Sequence, residues 1–348
     1  MPDILTRLGD GSPLEMSAAE LRRDLEDGSA DAADRGGIPG LTEEDFKYLE
    51  ELFRRRDRFV GVEAGREVVL TYDGAALKFK RHCLIEERLQ VLTMYEKMFG
   101  ADTVELGHVD YSYKPVKPIV NYEQGTLEMG LLTTHAPLIY GAMPNLGLYT
   151  QPDGPCPNPM ELLPQGKIQE ARAAYDGMVE EAVRDIVFVV GSMYESGADG
   201  FNLDTVGASG DADVLASFLA LEKLRAKYPD IAVEVGMAGE FILGMHGELT
   251  YDGQRLAGLY PHQQVKLAEK AGAAIFGPVV NTNTDRSIPW NLARTITFTR
   301  ACSQAASIPV HANMGMGVGA VPVNDFPPVD VLSRASKAMV ELCDLDGL

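Results

Sequence analysis

The sequence predicts an α/β protein, a TIM-type (β/α)8 barrel preceded by a helix and hairpin extension. Three observations predict it. From about residue 102 one unit repeats, a short apolar strand, a Gly- or Asn-rich turn and an amphipathic helix. Strands alternating with helices give a parallel sheet with right-handed crossovers. The polar and Gly-rich residues gather where strands end and loops begin, the rim that carries the active site in a β/α barrel. The 348 residues, 45% hydrophobic and 24% charged, suit one such barrel with a large core.

Residues 1–100 read as a separate layer, a cap or an oligomer contact compatible with a homo-oligomer. Helical patterns at 17–27 and 42–56 flank Gly36-Gly37-Ile38-Pro39-Gly40, a linker-like break. REVVLTYDGAALKFKR (66–81) alternates around Asp73-Gly74, a hairpin signal. Residues 101–348 are the barrel domain. Its strands are expected in ADTVELGHVD (101–110), APLIYGAMPN (136–145), ADGFNLDTVG (198–207), IAVEVGMAGE (231–240), AAIFGPVVNT (273–282) and IPVHANMGMG (308–317). Apolar periodicity places helices at 122–134, 165–196, 212–228, 261–271, 290–306 and 329–343. The last residues repeat the earlier helix-to-strand junctions: an amphipathic helix, Asp346-Gly347, then the apolar Leu348. A seventh strand is expected to begin there. The barrel is then C-terminally incomplete, with about six βα units present and about two more, ~30 residues each, beyond. The alternative is a smaller or open barrel, or a closing strand drawn from residues 1–100.

The formal net charge of −20, from 51 acidic and 31 basic residues, comes without a basic stripe. Such a chain repels nucleic acid and anionic lipid. It suits cationic small molecules, although solubility alone also accounts for the charge. No run of 18 apolar residues is present, and MPDILTRLGDGSPLE lacks the form of a secretory signal. Cys83, Cys156, Cys302 and Cys343 lie far apart, which excludes a zinc ribbon and argues against a disulfide framework. A reduced, cytoplasmic chain with no membrane span follows. No G-x-G-x-x-G follows the first strand, so a Rossmann site has little support.

Strand neighbours point to opposite faces, and parity therefore sorts the side chains. With Val104 and Leu106 toward the helices, Glu105 faces the lumen. Asn202 and Asp204 turn inward against Phe201 and Leu203, and Glu234 against Val233 and Val235. His311 and Asn313 turn inward against Val310. Three carboxylates and an imidazole thus converge from four strands. Any one of them fits a structural hydrogen bond equally well; the set points to a site, because buried charges are costly. An acidic, partly dry cavity suits an ammonium-type substrate and acid–base work. Mg²⁺ is the weaker alternative, since no Gly-rich phosphate loop with a Lys stands at these strand ends. His246-Gly247-Glu248 has a zinc-deaminase H-x-E form, but Pro155-Cys156-Pro157 brings no second cysteine, and no metal is assigned. Residues 145–160 and 241–260, the latter around Asp252-Gly253, are long enough for lids. Asn281 and Tyr140, at other strand ends, join Asn202 and Asn313 as substrate-binding candidates.

These rim sequences resemble the dimethylamine:corrinoid methyltransferases of methylamine-dependent methanogenesis and methylotrophy. The stretches that carry the resemblance begin with GSADAADRGGIPGL (28–41), FGADTVELGHVDYSYKPVKP (99–118), YGAMPNLGLYTQPDGP (140–155) and SGADGFNLDTVGASGDAD (196–213). GMAGEFILGMHGELTYDGQRLAGLYPHQQ (236–264), FGPVVNTNT (276–284), WNLARTITF (290–298) and IPVHANMGMGVG (308–319) continue it. The resemblance implies a barrel that demethylates dimethylamine and passes the methyl group to the Co(I) corrinoid of a small cognate partner protein. The corrinoid belongs to the partner and is not bound by this chain directly. It also implies a pyrrolysine, encoded by an in-frame amber codon, just after a segment like SKAMVELCDLDGL (336–348), and so expected after Leu348 and absent from this sequence. The chain as written is then expected to be inactive. Under that reading Glu234, Asp204 and Glu105 bind the ammonium and manage protons, Glu240 and His311 orient the imine, and Asn281 hydrogen-bonds. The partner docks over the loops 145–160 and 313–328. The alternatives are a pyrrolysine-free corrinoid methyltransferase with another methyl donor, and a truncated, inert or partner-binding fragment.

Overall fold

A computed structural model describes residues 4–73, 103–109, 116–133, 138–142, 144–207, 210–237, 239–244, 248–324 and 326–348. The chain opens with an antiparallel hairpin, β1 (Ile4–Arg7) and β2 (Pro13–Met16). Helix α1 (Ala18–Gly36) starts on a reciprocal Ser17–Glu20 capping box and stops at Gly37, which is left-handed. Helix α2 (Glu43–Arg54) uses the same device with Thr42 and Asp45. The expected break at Gly36–Gly40 is the link between these two helices.

A parallel sheet then forms from β3 (Leu70–Asp73), β4 (Thr103–Val109), β5 (Leu138–Ala142), β6 (Gly200–Val206), β7 (Val233–Met237) and, after a small hairpin of β8 (Thr250–Tyr251) and β9 (Gln254–Arg255), β10 (Ile275–Gly277). Its spatial order is β3-β4-β5-β6-β7-β10. The crossovers are α3 (Val116–Thr133), the short α4 (Pro159–Leu162) with the long α5 (Ile168–Glu195), α6 (Asp211–Lys227) and α7 (Pro261–Ala271). Helices α8 (Ile288–Ala305) and α9 (Val329–Cys343) complete the chain. Among the described residues no helix is long and apolar enough to cross a membrane.

One expectation needs correction. Leu70–Asp73 pairs in parallel with β4, so it is a strand of the main sheet and not the first arm of a hairpin. Residues 74–81 of that expected hairpin, Cys83 and His246-Gly247 lie outside the described residues. The expected start of a strand at the last residues falls on a paired segment. Single parallel bridges join Phe276 to Val310, His311 to Gly347 and Gly347 to Val69, beside β3. His311 N donates to Phe276 O at 3.0 Å, Ala312 N to Gly347 O at 3.1 Å, and Leu348 N to Val69 O at 2.9 Å. Hydrogen bonding therefore runs from β10 back to β3 through two short segments, at 310–312 and 346–348. Residues 1–100 thus contribute the strand β3, and the segment at Gly347 is bridged on both sides.

The core follows from strand parity. Phe201, Leu203, Val233, Val235 and Phe276 are fully buried against Ile186, Val190 and Met193 of α5 and Phe218, Leu221 and Leu224 of α6. Helix α8 is buried on every face from Ile288 to Thr299, which an amphipathic surface helix is not. Helix α1 covers its outer side so closely that a Cβ on Gly28 would stand 2.1 Å from Trp290 O. Thr297 Oγ1 donates to Ser29 Oγ at 3.0 Å across the same contact.

Candidate active site

The ring interior is set by register. Gly141, Asn202, Glu234 and Ile275 stand in one row across β5, β6, β7 and β10. Two residues further along, Gly236 pairs with Gly277. Asn202 and Glu234 are each 4% exposed and His311 is 8% exposed. His311 Nδ1 lies 2.7 Å from Glu234 Oε1. Asp204 is aimed by an irregularity: the register of β6 shifts between Leu203 and Val206, and Thr205 sits at φ 51°. Asp204 Oδ1 accepts the Thr205 N–H at 2.7 Å. A bulge of this kind re-aims a side chain at a strand end.

The two paired glycines let polar side chains pack close over the floor, where there is little room even for a Cβ. A Cβ on Gly236 would stand 3.3 Å from Asp204 Oδ1 and 3.4 Å from Asn202 Oδ1. A Cβ on Gly277 would stand 3.2 Å from Asn313 Nδ2 and 3.3 Å from Glu234 Oε1. Asp204, Asn202, Glu234 and Asn313 thus gather over the two glycines, with His311 against Glu234. Asn202 Oδ1 is buried there and takes no hydrogen bond from the described residues. An unpaired buried acceptor costs free energy unless something donates to it.

Burial disfavours the His311 imidazolium, but the Glu234 charge and hydrogen bond, the Leu348 backbone and the Asp204 charge outweigh it and hold the group above its ordinary value of 6.5. A group raised in the folded state contributes stability that is whole below its unfolded value and lost as pH rises through its folded value. His311→Gln should therefore cost most stability below about pH 6.5, with the gap to wild type narrowing as pH rises. Urea midpoints across pH test this, and a gap that widens with pH would refute the imidazolium.

Other candidates fall elsewhere. The carboxylate of Glu240 is gripped at both oxygens by the Arg294 guanidinium, whose Nε also donates to Asp31 at 2.7 Å. Glu240 lies in the bend after β7, where two-residue alternation no longer applies, and the structure gives it to that ion pair in place of the imine-orienting position expected. Asn281 is exposed and bridges Val318 at the rim, apart from the floor. The backbones of Glu105 and Tyr140 are described and their side chains are not. In register the row through Asn202 and Gly141 continues to His108, while Glu105 pairs with Leu138. Gly236 and Gly277 were not singled out in the sequence, although each stands two residues along the strand from an inward position.

The rim loops are tied down. Leu146 N donates to Asp213 Oδ1 at 3.2 Å and Tyr149 OH to Asp185 at 2.8 Å, which fixes the start of 145–160. Thr282 N donates to Gly317 O at 2.8 Å and Gly319 N to Val280 O at 3.0 Å. The N-terminal hairpin joins them, with Val323 N donating to Gly9 O at 3.1 Å. Among the described residues no three His, Cys, Asp or Glu side chains come together in a form that would hold a metal ion.

Among solved structures, the chain is similar to dihydropteroate synthase of Xanthomonas albilineans, at 15% identity and a TM-score of 0.40, over 82% of this chain and 86% of that one. Homocysteine methyltransferase of Escherichia coli gives 12% and 0.37, over 79% and 97%. The carboxyl transferase domain of Rhizobium etli pyruvate carboxylase gives 13% and 0.40, over 90% and 44%. At these scores none of the three bears on chemistry. The family profile described as dimethylamine methyltransferase matches residues 3–348.

Proposed function

Since the chain belongs to the dimethylamine methyltransferase family, we propose that it moves a methyl group from dimethylamine to the Co(I) corrinoid of a cognate partner protein. The observation that carries this reading is the buried Glu234–His311 pair facing, across a glycine floor, an acceptor with no partner. Two groups outside the described residues supply the bond chemistry: a pyrrolysine imine, to which an amine nitrogen adds, and the partner's corrinoid, which accepts methyl. What supports the amine reading is Asn202 Oδ1, a buried acceptor without a donor beside the acidic pair.

The chain's own residues then divide the work. Asp204 and Glu234 draw a cationic amine out of water. Glu234 Oε1 takes the proton that the substrate nitrogen must lose before it can act as a nucleophile. His311 holds a proton at Nδ1 against Glu234 and stabilises the carboxylate between turnovers. Asn313 Nδ2 supplies a donor on the opposite side. The partner docks on the rim, where Met316, Val323 and Phe326 are exposed.

The test mixes the full chain, its reduced corrinoid partner and dimethylamine, and follows methylcobalt absorbance. We expect methylcobalt to form with dimethylamine, and Phe326→Asp to raise the KM for the partner at least ~10-fold while kcat holds. Absence of methylcobalt with dimethylamine under Co(I) conditions would overturn the reading.

A further inference from the structure

An exposed apolar surface lies on the outer shoulder of the ring, around the first turns of α9. Leu5 is 72% exposed, Phe59 64%, Phe326 68% and Val329 44%, and they come from three distant parts of the chain. Arg7 Nε donates to Asp330 at 3.0 Å, which brings Leu5, on the same face of β1, beside Val329. Val60 N donates to Ser333 Oγ at 3.2 Å, so Phe59 stands about one helical turn from Val329. Large apolar side chains gathered in one exposed place mark a surface that another molecule covers. Next to Phe59 are four arginines in five positions, Arg54, Arg55, Arg56 and Arg58, on a chain of net charge −20. Arg54 has Glu50 at 2.7 Å and Arg55 has Asp57 at 3.0 Å. Arg56 and Arg58 are exposed and have no carboxylate partner among the described residues. The backbone that displays them is held from below. Buried Arg334 donates from Nη2 to Arg55 O at 2.7 Å and Asp57 O at 2.9 Å, and from Nε to Leu52 O at 3.3 Å. A loop fixed in its binding shape loses less entropy on association.

We propose that this shoulder, centred on Phe59 and Val329 and flanked by Arg56 and Arg58, takes an acidic face of the partner protein, one with carboxylates around an apolar centre. This rests on the reading that a corrinoid protein docks on the rim, and adds to it the partner's surface chemistry and a second contact region. The two regions are continuous. Phe326, on the rim, is three residues from Val329, a separation of at most about 10 Å. A docked protein ordinarily covers about 800 Å² of its partner, far more than that gap, so one protein lies over both. Charge decides the chemistry of the face. The chain as a whole repels nucleic acid and anionic lipid, and two arginines beside an aromatic ring suit a local group of carboxylates. Aromatic and arginine side chains are also the ones enriched in interfaces between proteins. Against a partner that is itself acidic, the arginines supply attraction that the rest of this surface withholds.

The experiment measures the Kd of the full chain for the corrinoid protein by calorimetric titration, at low and at high salt, and the KM values in the methylcobalt assay. Arg56→Glu/Arg58→Glu should weaken binding at least ~10-fold at low salt, and less at high salt, where exposed charges are screened. Phe59→Ala should weaken it by at least ~10-fold at both. Both variants should raise the KM for the partner and leave kcat and the KM for dimethylamine as in the wild type. The substituted side chains are exposed, and an unchanged melting temperature checks that the fold is kept. Wild-type affinity in both variants overturns the proposal, as does a charge-reversed variant whose loss is the same at every salt concentration. Absence of a complex with the wild type overturns it too. Sedimentation of the chain alone gives a further arm: a wild-type dimer that both variants convert to monomer would make the shoulder a self-contact and overturn the assignment to the partner. If the variants weaken the complex while no methylcobalt forms with the wild type, the docking surface stands and the methyl-transfer reading falls.

Discussion

Glu234→Gln lowers the rate of methylcobalt formation by about 10²–10⁴-fold, the span ordinarily lost with a positioned base. The replacement keeps the volume of the side chain, and its Oε1 can still meet His311 Nδ1, now 2.7 Å from the carboxylate. It cannot take a proton from the substrate. It also removes the strongest influence holding His311 as imidazolium, so that burial, which pulls the other way, dominates. The variant therefore carries two defects, which a pH profile separates. Activity that needs the imidazolium falls as pH rises through the His311 value, and in Glu234→Gln that fall moves to lower pH. Glu234→Asp keeps the charge at a greater distance and should recover part of the rate. Wild-type turnover by Glu234→Gln would remove both the base and the pair from the mechanism.

Arg294→Leu is the largest expected loss of stability, about 3–5 kcal/mol, the cost of leaving a buried carboxylate without its cation. Arg294 is buried with Glu240, donates to both its oxygens and to Asp31 at 2.7 Å, and lies over the Trp290 and Phe298 rings. No water reaches Glu240 easily, so that carboxylate is not rescued by solvent, whereas Asp31 is partly exposed and keeps Arg35 at 2.9 Å. Urea unfolding should show the loss in the midpoint with the slope unchanged. The double variant Arg294→Leu/Glu240→Leu should be more stable than the single one, because removing both partners of a buried pair costs less than removing one. Equal stabilities for the single and double variants would show that the two side chains are not coupled.

Regular strands are where the sequence was most readable. In β6, β7 and the 310–312 segment, one apolar residue on each side of a polar one was enough to infer that Asn202, Glu234 and His311 share a space. Asp204 shares it too, although the strand is irregular at that point. Alternation has no hold beyond a strand's end, and Glu240 shows why: three residues past Met237, its direction is decided by a cation on α8, far along the chain. The strand Leu70–Asp73 was hidden for a different reason. Four residues with a polar Thr and Asp next to an Asp-Gly turn signal resemble a hairpin arm, and only a partner more than twenty residues later makes them part of a parallel sheet. Gly236 and Gly277 carry no chemical group, so their part in the site, the close approach of neighbouring side chains, appears only once the neighbouring strands are in register.

The pairing of Gly347 with both Val69 and His311 has a consequence for how the protein is made. A chain emerging from the ribosome displays Val69 early and Gly347 late, and the contact between them spans almost the whole described chain. Until the late segment arrives, the nascent ring has a slot, and the strand edges lining it present unpaired amides and carbonyls on which another chain can add. Contacts of such long separation form slowly. The Glu234–His311 pair lies beside this slot, so the active centre is finished only when the late segment pairs. Nascent chains should depend most on chaperone cover during that interval, and the centre should have no ammonium affinity before it ends.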